Sequence, residues 1–316
     1  MRDGSVRPSA RLQSASADQG FTLLETLVAL TVLLIVMGVV MTSMIQFSQT
    51  QSLVWNRANM HGAVRSATEL LQQEVGQAGR VSLVPGLLTT VAVTTTGSQT
   101  VSVTSTANMF VGEQLVIDTG QSEETATVTA VNSATSFTAN FASPHSSGVP
   151  VAVRGGFASG VVPTTMTNGS TGGVLKIHGD INGDGNMVYI EYVCTTGTEA
   201  APGSLYRNTM PFTSAAKTAP NAGQILLNNL LPNPGGTPCF TYEQKVVNAR
   251  TYVINVAITL TTQTQFRDRI TRQFQPETKA LLNVAPRNVF EAWQLASMGS
   301  NNRIQPMPPS VTLLLP

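Results

Sequence analysis

Charge is scarce in this 316-residue chain. Asp, Glu, Lys and Arg supply 11% of it, against about a quarter in ordinary soluble proteins. The 18 basic and 17 acidic residues leave a net charge of +1. No global field therefore points to nucleic acid or anionic lipid as a partner. Aromatic residues are 6%, too sparse for a run of base-stacking platforms. The three histidines, His61, His145 and His178, are scattered and show no zinc spacing. Neither a G-x-S-x-G elbow nor a phosphate-binding glycine loop occurs. These absences argue against an enzyme. Cysteine is limited to Cys194 and Cys239. That even count permits one disulfide in an exported chain, and it also fits two unrelated buried thiols. Thr, Ser, Gly, Asn and Gln carry the polarity instead, a balance that suits an exported surface protein better than a cytosolic enzyme.

The one long apolar run has an unusual leader. Residues 1–20 hold Arg2, Arg7 and Arg11, almost nothing apolar, and end on Gly20. A secretory signal would place its apolar core before the cleavage site; here the apolar run follows it. From Phe21 to Ile45 the only charge is Glu25, Gly38 is the only glycine and proline is absent. As a helix those residues would measure about 37 Å, enough to cross a hydrocarbon core of about 30 Å. The basic leader is expected on the cytoplasmic side, with everything after the span outside. Glu25 has two readings. It is a tolerated charge near the interface of a plain anchor, or it is a functional group inside the span with a partner. Cleavage after Gly20 would give Phe21 a free α-amine. Glu25 of one subunit could then pair with the amine of another, offsetting the burial cost of both.

The residues "GFTLLETLVAL" resemble the cleavage and methylation motif of type IV pilins and type II secretion pseudopilins. Gly20, Phe21, Thr22, Leu23 and Glu25 match its pattern. The resemblance implies that a prepilin peptidase cuts after Gly20 and methylates Phe21, and that Glu25 serves subunit assembly. It also implies an inner-membrane protein that enters an extracellular pilus or periplasmic pseudopilus alongside other pilins.

The helix is expected to continue. Met60, Val64, Ala67, Leu71, Val75 and Ala78 recur at steps of 3 and 4 and form one apolar stripe. Arg57, Arg65, Glu69 and Glu74 are read as lying mostly off it, and Gly76 and Gly79 as the stop. The close, "LLQQEVGQAGR", resembles the corresponding stretch of PilW-type minor pilins and J-type pseudopilins.

Residues 85–155 change character. "TTVAVTTTGSQTVSVTST" alternates Val with Thr or Ser, and "EQLVIDTG", "EETATVTAVN" and "SFTANF" follow at short spacing. This predicts five or six short antiparallel strands. The layout is similar to small β-modules of phage-tail and surface proteins. It reads either as an adhesive contact module or as a solubilising elaboration of a pilin loop.

The stretch "GDINGDGNMVYIEYVC" places Asp180, Asn182, Asp184, Gly185 and Glu191 at the spacing of a calcium-loop motif, with the Asn186 carbonyl as a further ligand. The flanks alternate like strands, so an EF-hand is not expected. A calcium loop between strands and a polar hairpin turn both remain open. Calcium loops occur in the globular domains of pilin-like proteins, so the resemblance admits that cofactor. His178 is read as a strand-end residue. The group Arg267, Arg269, Arg272 and Lys279, diluted by Asp268 and Glu277, is read as a solvated strand face rather than a nucleic-acid site. "VYIEYVC", "SLYRN", "YVINVAITLTTQTQF" and "ITRQFQPETKALLNVAPRNV" are read as strands or strand-like segments, and Val311–Leu315 as an edge strand.

The expected fold class is α+β: a long N-terminal helix packed on an antiparallel sheet, with an inserted all-β module. The expected organisation is a leader at 1–20, a transmembrane and amphipathic helix at 21–80, a Thr/Val-rich module at 81–157, and a pilin-like sheet domain with its tail at 158–316.

Overall fold

The computed structural model describes residues 20–269 and 271–316. The expected leader, residues 1–20, lies outside the described residues except for Gly20. The chain divides into two compact units, Met1–Val54 and Trp55–Pro316.

Helix α1 (Leu23–Gln77) runs for 55 residues. In the first unit its side chains are apolar on every side and exposed, Leu23, Leu27, Leu30, Leu34 and Ile45 among them. Length and composition make it able to cross a membrane. In the second unit the pattern becomes one-sided. Met60, Val64, Ala67, Leu71 and Val75 are buried, and so is Ala78 just past the helix end. The stop is Gly79, at φ +84, where a left-handed residue closes a helix and glycine adopts it without strain. A Cβ on Gly160 would lie 2.2 Å from the Gly79 Cα, so the helix exit and the strand region meet backbone to backbone.

Next comes a five-stranded antiparallel sheet: β1 (Gly97–Ser102), β2 (Gln114–Ile117), β3 (Glu124–Ser133), β4 (Ser136–Phe141) and β5 (Val151–Val153), in the order β1-β4-β3-β2-β5. Alternation puts Leu115, Ile117, Ala126, Val128, Phe137 and Ala139 into its own apolar cluster.

After the short β6 (Gly156–Phe157), a larger antiparallel sheet forms from β7 (Val174–Gly179), β8 (Val188–Cys194), β9 (Gly203–Pro211), β10 (Ile225–Leu231), β11 (Phe240–Val247), β12 (Arg250–Gln263) and β13 (Pro276–Val284). Both its faces are covered. Leu175, Ile177, Ile190, Tyr192, Leu205 and Ile258 share a cluster with the α1 stripe. On the other face Tyr189 and Met210 pack with Val311 and Leu314. The sulphurs of Cys194, at the end of β8, and Cys239, just before β11, are bonded across 45 residues of sequence.

Two readings of the C-terminal region need correction. Pro286–Asn288 does not extend a strand; it opens α2 (Arg287–Ser297). Val289, Ala292 and Ala296, spaced 3 and 4 apart, bury one face of that helix in a cluster with Tyr252 and Ile254. The tail adds the two-residue β14 (Ile304–Gln305), parallel to β6, and then α3 (Pro309–Leu314) rather than an edge strand. Pro309 at the first helical position presets the backbone for a turn of helix, and Val311 and Leu314 share its buried side.

Candidate functional site

The N-terminal motif begins in a hydrogen-bonded first turn. Gly20 is exposed, and Phe21 is 82% exposed. Thr22 caps α1 and Glu25 stands at its third position. The Glu25 Oε2 accepts from the Thr22 N–H at 3.2 Å and its hydroxyl at 3.3 Å, while the Thr22 Oγ1 accepts from the Glu25 N–H at 3.3 Å. This reciprocal pair is a capping box, which satisfies N–H groups that a helix start leaves without partners. Glu25 thus has a job within its own chain, and its charge lies at the positive end of the helix dipole. The T-x-x-E signature was present in the sequence.

A second acid on α1 does the reverse of what its polarity implied. Glu74, one of four charged residues expected mostly off the stripe, is 4% exposed. It follows Leu71 by three residues and precedes Ala78 by four, so it sits on the apolar seam. Tyr192 and Arg207, direct cross-strand neighbours on β8 and β9, converge on it. The Tyr192 hydroxyl donates to Glu74 Oε2. The Arg207 guanidinium donates from Nε at 3.0 and 3.1 Å and also from Nη2. Burial and the Glu74 charge push the Tyr192 phenol above its ordinary range. A buried charge held by three donors fixes the rotation of the helix on the sheet.

The residues of the expected calcium motif make hydrogen bonds and ion pairs within the chain. Asp180 is fully buried. Its Oδ2 accepts from the Ser82 hydroxyl at 2.6 Å and from the Gly185 N–H at 3.3 Å, and its Oδ1 from the Asp184 N–H at 3.1 Å. The Arg80 Nε lies 3.6 Å away. Asp184 turns back to the Asn186 N–H at 2.8 Å, which holds its carboxyl below the usual range. Gly183 and Gly185 take positive φ, as a tight turn requires, and Asn182 is exposed. Glu191 lies three residues into β8, with Lys217 Nζ at 3.2 Å and Lys176 Nζ at 4.0 Å. Its charge is therefore matched away from the loop. Among the described residues no three His, Cys, Asp or Glu side chains gather as a metal site.

His178 sits at 1% exposure inside β7, 3.1 Å from the Ser159 hydroxyl. Burial pushes its pKa down to about 4, so it is neutral. Between β4 and β5, His145 is buried with Asp118 at 3.2 Å on one ring nitrogen and Glu124 at 3.0 Å on the other. Glu113 is also fully buried. Among the described residues its Oε2 accepts from the Phe110 N–H, at 3.4 Å, and its Oε1 has no hydrogen-bond partner. Burial pushes its pKa up to about 8. Arg267, Arg269 and Arg272 are exposed on the β12–β13 connection, and Lys279 is exposed on β13.

Residues 15–41 match the family model described as Prokaryotic N-terminal methylation motif. No curated protein matches the chain. The motif, carried on a long apolar helix ahead of antiparallel sheets, indicates a type IV pilin or pseudopilin.

Proposed function

We propose that the chain is a minor pilin of the PilW kind: a structural subunit, not a catalyst, that acts in type IV pilus assembly or at the pilus tip. The observation that carries this is the methylation motif at the head of an apolar helix whose surface is bare from Phe21 to Ile45. On this reading the span holds the subunit in the inner membrane, a prepilin peptidase removes the leader after Gly20 and methylates Phe21, and other pilins then cover the apolar surface in the fibre. The two-sheet head supports a minor role, since a bulky irregular domain packs poorly as a repeating unit.

Glu25→Ala tests the assembly step. The variant is expected to insert in the membrane and to be missing from sheared filaments in an immunoblot. Incorporation at the wild-type level would overturn a role for Glu25 in subunit pairing and leave it only its capping bonds. A second reading, a pilus-borne adhesin, draws on the separate apolar cluster of the five-stranded sheet. Deleting residues 85–155 separates the two: surviving piliation with lost surface binding favours the adhesin, and failed piliation favours the assembly subunit.

A further inference from the structure

Within the second unit, a cavity of about 370 Å³ opens where β9, β10 and β12 meet the part of α1 that follows Trp55. That volume lies in the range of small-ligand sites. Met60, Leu226 and Leu227 supply apolar lining. Asn59, Asn228, Asn229, Gln263 and Gln265 supply primary amides. Among the described residues no Asp, Glu, Lys, Arg or His lines it.

Strand β10 is shaped around this cavity. Against β9, Ile225 pairs with Tyr206 and Leu227 with Leu205, and then Asn228 with Ser204 and Leu230 with Gly203. Leu226 and Asn229 are therefore extra residues, two bulges in a seven-residue strand. Both of them line the cavity. A bulge re-aims a side chain, and bulges are over-represented beside functional sites. Asn229 takes φ +61, a left-handed conformation that asparagine adopts more readily than most residues. The Thr262 hydroxyl reaches the Asn228 and Asn229 carbonyls at 3.1 Å each, which secures the second bulge from β12.

Hydrogen-bonding capacity is left over here. Gln263 is 3% exposed. Its Nε2 donates to the Glu199 carbonyl at 2.8 Å, while its Oε1 has no partner among the described residues. A buried acceptor without a donor is costly. Asn228 Oδ1 accepts from the Ser204 hydroxyl at 3.1 Å. The Asn59, Asn229 and Gln265 side chains make no hydrogen bond among the described residues.

These features select a class of ligand. An ion finds no counter-charge in the lining. An extended peptide finds no open strand edge, because β10 is hydrogen-bonded to β9 on one side and β12 on the other. Amides both donate and accept, as sugar hydroxyls do, and the apolar carbon face of a sugar ring suits Met60 and the leucines. Trp55 is 61% exposed. It precedes Asn59 by four residues of α1 and so shares its helix face, where its ring is available for stacking on a sugar.

We propose that this cavity binds a neutral saccharide of one or two rings, with Gln263, Asn228 and Asn59 bonding its hydroxyls and Trp55 covering its apolar face. The site belongs to the larger sheet, and it is distinct from the five-stranded module that the adhesin reading invokes.

The test is saturation-transfer NMR on the full chain, held in a detergent without a sugar headgroup. The probes are a mixture of neutral disaccharides of glucose, galactose and N-acetylhexosamines, with sialyllactose and triglycine run separately. Transfer to at least one neutral disaccharide is expected, with a dissociation constant on the order of 1 mM and no loss in high salt. Gln263→Ala and Asn59→Ala should each weaken it by about fivefold to tenfold. Asn59 is exposed and bonds nothing within the chain, so its variant decides the matter if Gln263→Ala fails to fold. Absence of transfer to every neutral disaccharide would overturn the site. Transfer that survives unchanged in the variants would put the sugar elsewhere and overturn it as well. Transfer to sialyllactose alone, removed by salt, would assign binding to the exposed arginines, and transfer to triglycine alone would assign it to peptide. Either result overturns the proposal.

Discussion

The two antiparallel sheets of this chain are stabilised in different ways. The seven-stranded sheet has both faces covered, by the α1 stripe on one and the C-terminal segments on the other. It adds a buried ion pair with all its charges matched and a disulfide. The five-stranded sheet relies on its own small cluster, and it encloses titratable groups with poorer partners, Glu113 above all. One sheet is joined to distant parts of the chain, while the other is joined largely to itself. The physical consequence is that perturbing the first should cost more stability, while the second should make the stability of the unaltered chain depend on pH, a dependence that perturbing it removes.

The sharpest break is Glu74→Ala. It leaves Arg207 and the Tyr192 hydroxyl facing an empty buried position, and losing one side of a buried pair costs about 3–5 kcal/mol. Urea denaturation of the full chain in detergent is expected to show a loss of that size for the larger sheet. A loss below about 1 kcal/mol would mean that the pair only orients the helix. The disulfide comes next. It closes 45 residues, and chain-entropy reasoning puts its removal at about 4 kcal/mol as an upper figure. Cys194→Ser with Cys239→Ser should lower the urea midpoint of the larger sheet while leaving the smaller one near its wild-type midpoint. A common fall in both would erase the contrast between the sheets.

Why these anchors were only partly legible follows from what a sequence records. The stripe Met60 to Ala78 was readable because burial on one helix face leaves a period. Glu74 broke that period and was read as polar, since the partners that make it buriable lie 118 and 133 residues away. With two cysteines only one pairing exists, but the sheet order decides whether they meet. The loop at Asp180 had the right spacing for a cation, and spacing does not reveal that Ser82 and the loop amides already hold its carboxylate. The Thr22–Glu25 box was fully local and could be read directly. Helix α3 is hidden because the Val311–x–Leu313 alternation fits a short strand as well as a single helical turn, and α2 because a strand reading that runs through "PRNV" ends where the 3-and-4 spacing of Val289, Ala292 and Ala296 begins.

Glu113→Gln targets the smaller sheet. A carboxyl whose pKa is raised to about 8 by burial binds a proton more readily folded than unfolded. Its contribution to stability is fully present below the unfolded value near 4.5 and is lost as pH rises through about 8. At pH 7 the deficit is at most about 3 kcal/mol. The wild type should therefore lose stability from pH 5 to pH 8 relative to the glutamine variant, as read by melting at each pH. Parallel profiles would show that Glu113 reaches water and ionises at its ordinary value.

The smallest expected effect probes how the two sheets are joined. Gln305 is fully buried on β14. Its Oε1 accepts from the Gln114 N–H at 2.9 Å, and its Nε2 donates to the Gln114 carbonyl at 2.9 Å and the Arg154 carbonyl at 3.1 Å. It pairs with β2 as a further strand residue would, so an edge of the smaller sheet is tied to the C-terminal region by one side chain. Gln305→Ala leaves these groups unpaired at about 1–2 kcal/mol, which is small against the Glu74 and disulfide losses. The cost should appear as faster exchange of the Gln114 amide with the β8 and β9 amides unchanged. Equal acceleration in both sheets would mean that they unfold as one body, and that the difference in their anchoring has no consequence for stability.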